Sequence, residues 1–483
     1  MVGVGIGCPD CPTTHDKTRK WCGPRTEGSA SARHLITRPG LVQTAVSASR
    51  FTKALARGIV RGSKFRRPRN RPAMKVAVVK ERRAHERRVA ASPDSVKQMV
   101  GMGLEPLVES GAGADSCFAD AAYSAAGATI TGDAATALAA ADIVLKVQRP
   151  LIGGAPGGAD GVGEPGGTDE LGLMKRGAAL IGLLQPLRHP EDVAAYATAG
   201  ITAFAMELMP RITRAQTMDV LSSQANLAGY KAVLDAAVEF GRAFPMMMTA
   251  AGTIKAARVL VMGAGVAGLQ AIATARRLGA IVSASDVRAA AKEQVESLGA
   301  SFISVDDEAA RAAETAGGYA REMDEDYQRR QREKITEALR RTDIVICTAL
   351  VPGKRAPVLL TEAMVAGMAP GSVIVDLAVD SGGNVEGNRP GEVAVTANGV
   401  RIVGHLNMPS RIAVDASQLY ARNLLAFLAL IVDKEGHLRI DTSDEIVKAA
   451  LLTLDGAVVN PALTAEPAAL AAITPGTIPG ATG

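Results

Sequence analysis

Residues 258–286 read RVLVMGAGVAGLQAIATARRLGAIVSASD and decide the fold. Arg258–Met262 is a continuous apolar run rich in β-branched residues, as a buried parallel strand requires. Gly263-Ala264-Gly265-Val266-Ala267-Gly268 follows at once, then an Ala-rich helical stretch over Leu269–Leu278. A second strand over Ala280–Ala284 leads to Asp286. Each glycine has its own physical reason. Gly263 permits the tight turn, Gly265 lets the backbone approach a pyrophosphate, and Gly268 lets helix and strand pack closely. The unpaired N–H groups of the helix N-terminus, with Ala264 and Val266 beside the turn, suit phosphate oxygens. Asp286 can accept hydrogen bonds from ribose hydroxyls and would repel a 2′-phosphate, which favours NAD over NADP. Val287 and Arg288 complete the adenosine side of this expected site, and the positive charge of Arg288 works against that preference.

Outward from this motif the chain alternates apolar strands with Ala-rich helices, the pattern of an α/β fold. Strands are expected at Lys75–Val79, Glu105–Val108, Ile143–Val147 and Ala179–Leu183. A later set is expected at Asp343–Thr348, Val373–Leu377 and Arg401–Val403. A helix from about Thr217 to Glu239 joins the two sets, and another near Ala416–Leu430 returns to the first. The expected architecture is two doubly wound Rossmann-like domains separated by a cleft. Residues 74–215, completed by 409–461, form the first, and 216–408 form the nucleotide-binding one. Residues 462–483 read as a flexible tail, and the Gly/Pro-rich piece between Pro150 and Thr168 as a surface loop.

Charge is uneven. Residues 1–73 hold fifteen Lys or Arg against three acids, a net +12, so the remaining residues of a chain whose total is +5 carry −7. The body is mildly acidic, and nothing in it suggests nucleic-acid binding. Cys8, Cys11, His15 and Cys22 could be drawn as a zinc ligand set, but their spacing fits no common finger, so no metal is expected. The extension reads as disordered or as an over-long start, with the fold beginning at Met74. Cys117 and Cys347 are expected as reduced core residues, which suits a cytosolic chain. No apolar run approaches the length of a membrane span.

A second signal precedes the glycine motif. Arg211-Ile212-Thr213-Arg214-Ala215-Gln216-Thr217-Met218-Asp219 runs on to Ser222 and packs two Arg, a Gln and an Asp into one short segment. On residue types alone it is a polar loop entering a helix, with Thr217 or Asp219 near the N-cap. In the context of MELMPRITRAQTMDVLSSQANLAGY, KERRAHERRVAASPDSV (80–96), VLKVQRP (144–150), ETAGGYAREM (314–323), IVDLAVDSGGN (374–384) and VGHLNMPSR (403–411), it resembles the NAD(H)-binding subunit of the proton-translocating NAD(P)+ transhydrogenase family. The likeness runs from about Met74 to Pro461.

That resemblance implies hydride transfer between NADH and NADP+ held on a partner subunit, coupled to proton translocation by membrane subunits. It implies that Arg211, Gln216, Asp219 and Ser222 surround the nicotinamide and its ribose, with Ile212, Thr213 and Arg214 in the same binding segment. Gln216, Arg211 and Asp219 become the expected catalytic group. Gly318, Gln331 and Leu350 would complete the pocket, and Tyr319 would ride on a mobile lid whose hinge lies near Gly317. A homodimer, cytoplasmic and held at the inner face of the plasma membrane by its partners, is the implied assembly.

Alanine dehydrogenase shares this fold and is the competing enzyme. Arg88, Lys146 and Asp380 match its active-site residues, but its catalytic His position is Gln185 here, and His189 reads as a surface residue. Alanine oxidation needs a proton acceptor; hydride transfer between two nicotinamides needs none. A non-catalytic NAD-sensing module is the third reading, and the intact Arg211–Asp219 segment argues against it.

Overall fold

The computed structural model describes residues 72–153, 169–288, 290–304, 325–351 and 353–464. The first sheet contains β1 (Lys75–Val78), β2 (Glu105–Glu109), β3 (Thr129–Thr131), β4 (Ile143–Gln148), β5 (Ala179–Leu183) and β6 (Thr202–Ala205). Its order is β3-β2-β1-β4-β5-β6, all parallel. Alternation divides its side chains between two cores, because successive residues of a strand face opposite ways. Val76, Val78, Ile143 and Leu145 enter one, while Ala77, Val79 and Val144 enter the other.

A 20-residue helix, α1 (Val220–Glu239), leaves this unit, and a hairpin of β7 (Met247–Thr249) and β8 (Gly252–Ile254) follows it. The second sheet holds β9 (Arg258–Met262), β10 (Ile281–Ser285), β11 (Ser301–Phe302), β12 (Ile344–Cys347), β13 (Val373–Asp376), β14 (Val393–Val395) and β15 (Arg401–Val403). Its order is β11-β10-β9-β12-β13-β15-β14, parallel except for the antiparallel edge strand β14. Both sheets therefore reverse strand order beside their first strand, the place where open α/β sheets bind ligands.

The glycine helix α2 (Val266–Arg277) crosses α1 at close range. A Cβ on Gly229 would stand 2.0 Å from the Ala267 carbonyl, so only glycine permits this approach. The return helix α3 (Ala413–Ile431) buries Tyr420, Leu424, Phe427, Leu428 and Ile431 in the core of the first unit. Phe427 meets Phe204 of β6 edge to face at 5.3 Å, a geometry that adds to the simple burial of two rings. The chain thus returns to the unit it started from, and its last helices close that unit.

Two expectations need correction. Cys117 is exposed, in a left-handed turn (φ 58°) that ends a short 3-10 helix, and is not a core residue. His189 is half-buried at the start of the helix Pro190–Ala199, with Nδ1 3.1 Å from Glu191, rather than free on the surface. Cys8, Cys11, His15 and Cys22, the lid residues Gly317, Gly318 and Tyr319, residues 154–168 and nearly all of the tail lie outside the described residues.

Candidate nucleotide site

The turn after β9 is built around two glycines that the protein itself requires. Gly263 has φ 98°, in the region that favours glycine, and a Cβ there would meet Thr348 Oγ1 at 2.6 Å. A Cβ on Gly268 would stand 1.9 Å from the Gly263 carbonyl. Gly265 is different: it is exposed, its φ is ordinary, and no protein atom lies within 4 Å of where a Cβ would go. Nothing in the protein excludes a side chain there. A ligand backbone lying against the turn would exclude one.

Gly265 also caps α2 without any side-chain hydrogen bond, which leaves the first N–H groups of the helix open toward the same space. The residues therefore fit a diphosphate, and the acid beside them fits its ribose. Asp286 follows β10; its carboxylate accepts from the Ala264 N–H at 2.7 Å, the Arg288 N–H at 2.9 Å and Arg288 Nε at 3.0 Å. Burial pushes the Asp286 carboxyl up, but the bonds from Arg288 and Ala264 outweigh it and hold the group below the usual carboxylate range. It is an anion ready to accept hydroxyl hydrogens, with the Arg288 guanidinium resting on it. Val287 stands between them, half-buried. Gln331 Nε2 reaches Ser285 Oγ at 3.4 Å, which brings it to the end of β10. Leu350 follows β12 and is 46% exposed.

The Arg211–Asp219 segment forms a 3-10 turn over Thr213–Met218. Ala215 and Met218 are pegged into the core of the first unit, whereas Arg211, Thr213, Gln216 and Thr217 are exposed. Ile212 packs against that core from outside. Asp219 caps α1: Oδ1 accepts the Ser222 N–H at 2.9 Å and Oδ2 the Ser222 hydroxyl at 2.6 Å. The N-cap role expected from residue types is thus present. Arg214 points away to the C-terminal segment, where it grips Asp444 through two bonds of 2.6 and 3.0 Å. The two signals are fixed to one another through α1, which Asp219 caps and which lies on α2 at Gly229.

Two of the residues matched to the competing enzyme, Arg88 and Lys146, lie in a buried charge cluster. Arg88 makes two bonds to Glu86, at 2.7 and 2.8 Å, and donates to Gln224 Oε1 of α1 at 2.9 Å. Lys146 Nζ sits 3.0 Å from Glu170 and 3.2 Å from Glu81. Burial would raise Glu86, but Arg88 and the amides of Gln148 and Asn407 bring it down to about 2. For Glu81 burial wins over Lys146 and lifts the group to about 7. Gln185 follows β5 with φ 51°, and its N–H donates to Glu207 at the end of β6. Asp380 is exposed and accepts the Asn407 N–H at 3.2 Å.

Two groups escaped sequence reasoning. Glu207 has a closed-off Oε2 with no hydrogen-bond partner, and burial lifts its carboxyl to about 7. Its only sequence signal is an acid two residues after a buried strand. Asn384 holds the segment after β12 in place, accepting from Ala349 N at 3.1 Å and donating to Ala349 O and Pro357 O. Asp376, fully buried, in turn holds Asn384 N at 2.8 Å. Among the described residues, cavities of about 270 and 330 Å³ occur near Arg87, Ser410 and Arg411, and neither contains a residue of the glycine turn. No described group of His, Cys, Asp and Glu is arranged to hold a metal.

Comparison with known proteins follows the same outline. The family description "Alanine dehydrogenase/PNT, N-terminal domain" matches residues 77–228, and "Alanine dehydrogenase/PNT, C-terminal domain" matches residues 232–461. The chain is 58% identical over 394 residues to the first of the split alpha-subunit chains of the NAD(P) transhydrogenase of Rhodospirillum rubrum, covering 81% of this chain and all of that one. It is 51% identical to a solved transhydrogenase from Sinorhizobium meliloti, with a TM-score of 0.70 and coverage of 80% and 100%. Alanine dehydrogenase of Halomonas elongata is more distant, at 29% identity over 79% of this chain and 94% of its own.

Proposed function

Because the chain belongs to the alanine dehydrogenase/PNT family, and within it to the NAD(P) transhydrogenase alpha subunits, we propose that it binds NAD(H) and presents the nicotinamide for hydride exchange with NADP(H) on another subunit. The observation that carries this reading is a glycine turn with open space at Gly265, in a chain where a core-pegged turn exposes Gln216. When bound, NADH supplies the hydride.

The protein's own residues bind and orient. Ala264, Gly265 and Val266 offer backbone to the diphosphate, and Asp286 accepts from the adenosine ribose once Arg288 moves aside. Arg211, Gln216, Asp219 and Ser222 frame the nicotinamide end. Gln216 is neutral and exposed, so it can donate and accept hydrogen bonds without changing protonation. That suits a group that aligns two rings rather than one that moves protons.

Alanine oxidation is disfavoured because Gln185 stands where a proton acceptor is needed, and an amide cannot serve as a general base. No helix among the described residues is long and apolar enough to cross a membrane. Proton translocation and the NADP site therefore belong, in this reading, to membrane-embedded partner subunits that hold the chain at the cytoplasmic face. The β7–β8 hairpin exposes Met246, Met247, Met248 and Ile254, an apolar patch that supports a homodimer. The test mixes the purified chain with an NADP-binding partner and follows hydride transfer spectroscopically. NADH binding without any transfer would reduce the chain to a nucleotide-binding module.

A further inference from the structure

The Thr213–Met218 turn is only six residues long. It is a single 3-10 segment, and the bond at its end, Asp219 N to Gln216 O, is 3.4 Å long. Ala215 and Met218 are buried and fix one face of it to the core, while Thr213, Gln216 and Thr217 lie on its exposed edge. One polar side chain from a distant part of the sequence acts on that edge. Asn423 of α3 is buried; its Nδ2 donates to the Thr217 carbonyl at 2.7 Å, and its Oδ1 accepts the Ser223 hydroxyl at 2.8 Å. It thereby ties the residue after Gln216 to the first turn of α1, on the far side of Asp219. The outer tie, Arg214 to Asp444, lies on an exposed Arg and constrains the turn far less.

We propose that Asn423 is a positioning residue: its amide sets the orientation of the Thr213–Asp219 turn and so aims Gln216, Asp219 and Ser222. The proposal rests on the reading that this turn frames the nicotinamide. An amide is suited to this role because it donates to a carbonyl on one side and accepts a hydroxyl on the other. A carboxylate of the same shape keeps the second bond and turns the first into a repulsion. A misaligned turn need not release nucleotide held mainly at the glycine motif. It would spoil the approach of the two rings, where a shift of about 1 Å can cost roughly a hundredfold in rate.

The experiment uses the full-length chain with Asn423→Asp and, as a second variant, Asn423→Ala in case the first does not accumulate folded. Amide hydrogen exchange is measured over residues 213–219 and, as a control, over α3 and β9. We expect faster exchange confined to the turn, an NADH dissociation constant within about threefold of the wild type, and single-turnover transfer to an NADP-loaded partner slowed on the order of tenfold or more. Ser223→Ala, which leaves the bond to Thr217 in place, should show a smaller effect on both readouts. Wild-type exchange in the turn, or wild-type transfer despite faster exchange, overturns the proposal. A wild-type chain that binds NADH yet passes no hydride would instead overturn the functional reading, while the exchange measurement still decides the role of Asn423.

Discussion

The Asp286 carboxylate accepts the main-chain N–H of Ala264 at 2.7 Å, so the acid after β10 and the turn after β9 form one unit. In the proposed function Asp286 therefore does two things: it accepts from the ribose, and it braces the turn that receives the diphosphate.

From that double role, Asp286→Ala should weaken NADH binding more than loss of a ribose contact alone would. Hydrogen bonds to a charged group contribute about 1.5–3 kcal/mol each, so a fall of roughly ten- to a hundredfold in affinity is expected. NADPH binding should fall less, because the repulsion of its 2′-phosphate goes at the same time. Titration by fluorescence quenching measures both. Equal affinity of the unmodified chain for NADH and NADPH would sink the assignment.

Glu207 gives a pH signature. Its folded-state carboxyl is lifted from the ordinary 4.5 to about 7 by burial. Between those values the folded chain keeps a proton that the unfolded chain has released, so stability falls as pH rises through the window and levels off above it. Glu207→Gln removes this loss while keeping an oxygen for the Gln185 N–H. Its stability relative to wild type should be higher at pH 8 than at pH 5 by up to about 3 kcal/mol. Denaturant melts at the two pH values decide it; a difference independent of pH would show that Glu207 titrates normally.

Removal of residues 1–73 should leave folding and NADH binding intact. The charge changes sign at that point, β1 starts at Lys75, and Met74 already makes fold contacts, its carbonyl accepting Glu105 N at 2.9 Å. A chain starting at Met74 that is insoluble, or that no longer binds NADH, would show that the extension contributes to the fold.

The second sheet was legible because β9, β12 and β13 are buried on both faces and so read as unbroken apolar runs. β3, with Thr129, Ile130 and Thr131, and the two-residue β11 lack such runs, β14 has one of only three residues, and their neighbours define all three as strands. The glycine turn, Asp286 and the N-cap at Asp219 are local features, and local sequence carries them. Asn423 touches Thr217 across 206 positions, and Asn384 reaches Ala349 across 35. No periodicity announces contacts of that kind, since folding alone brings the partners together. Arg214 is a third case: its place in the segment is plain in the sequence, but its pairing with Asp444 spans 230 positions.

In the proposed function this chain aligns NADH for hydride transfer to NADP+ on another subunit, and Gln216 serves alignment rather than affinity. Gln216→Asn draws the exposed amide back by one methylene and leaves Ala215 and Met218 seated. The most direct measurement is single-turnover hydride transfer from the NADH-loaded chain to an NADP-loaded partner, made beside the NADH dissociation constant of the same protein. Transfer by the wild type, with a fall approaching a hundredfold in Gln216→Asn at nearly unchanged NADH affinity, is the predicted result. Wild-type rates in Gln216→Asn, or alanine-dependent NADH formation by the unmodified chain, would contradict it.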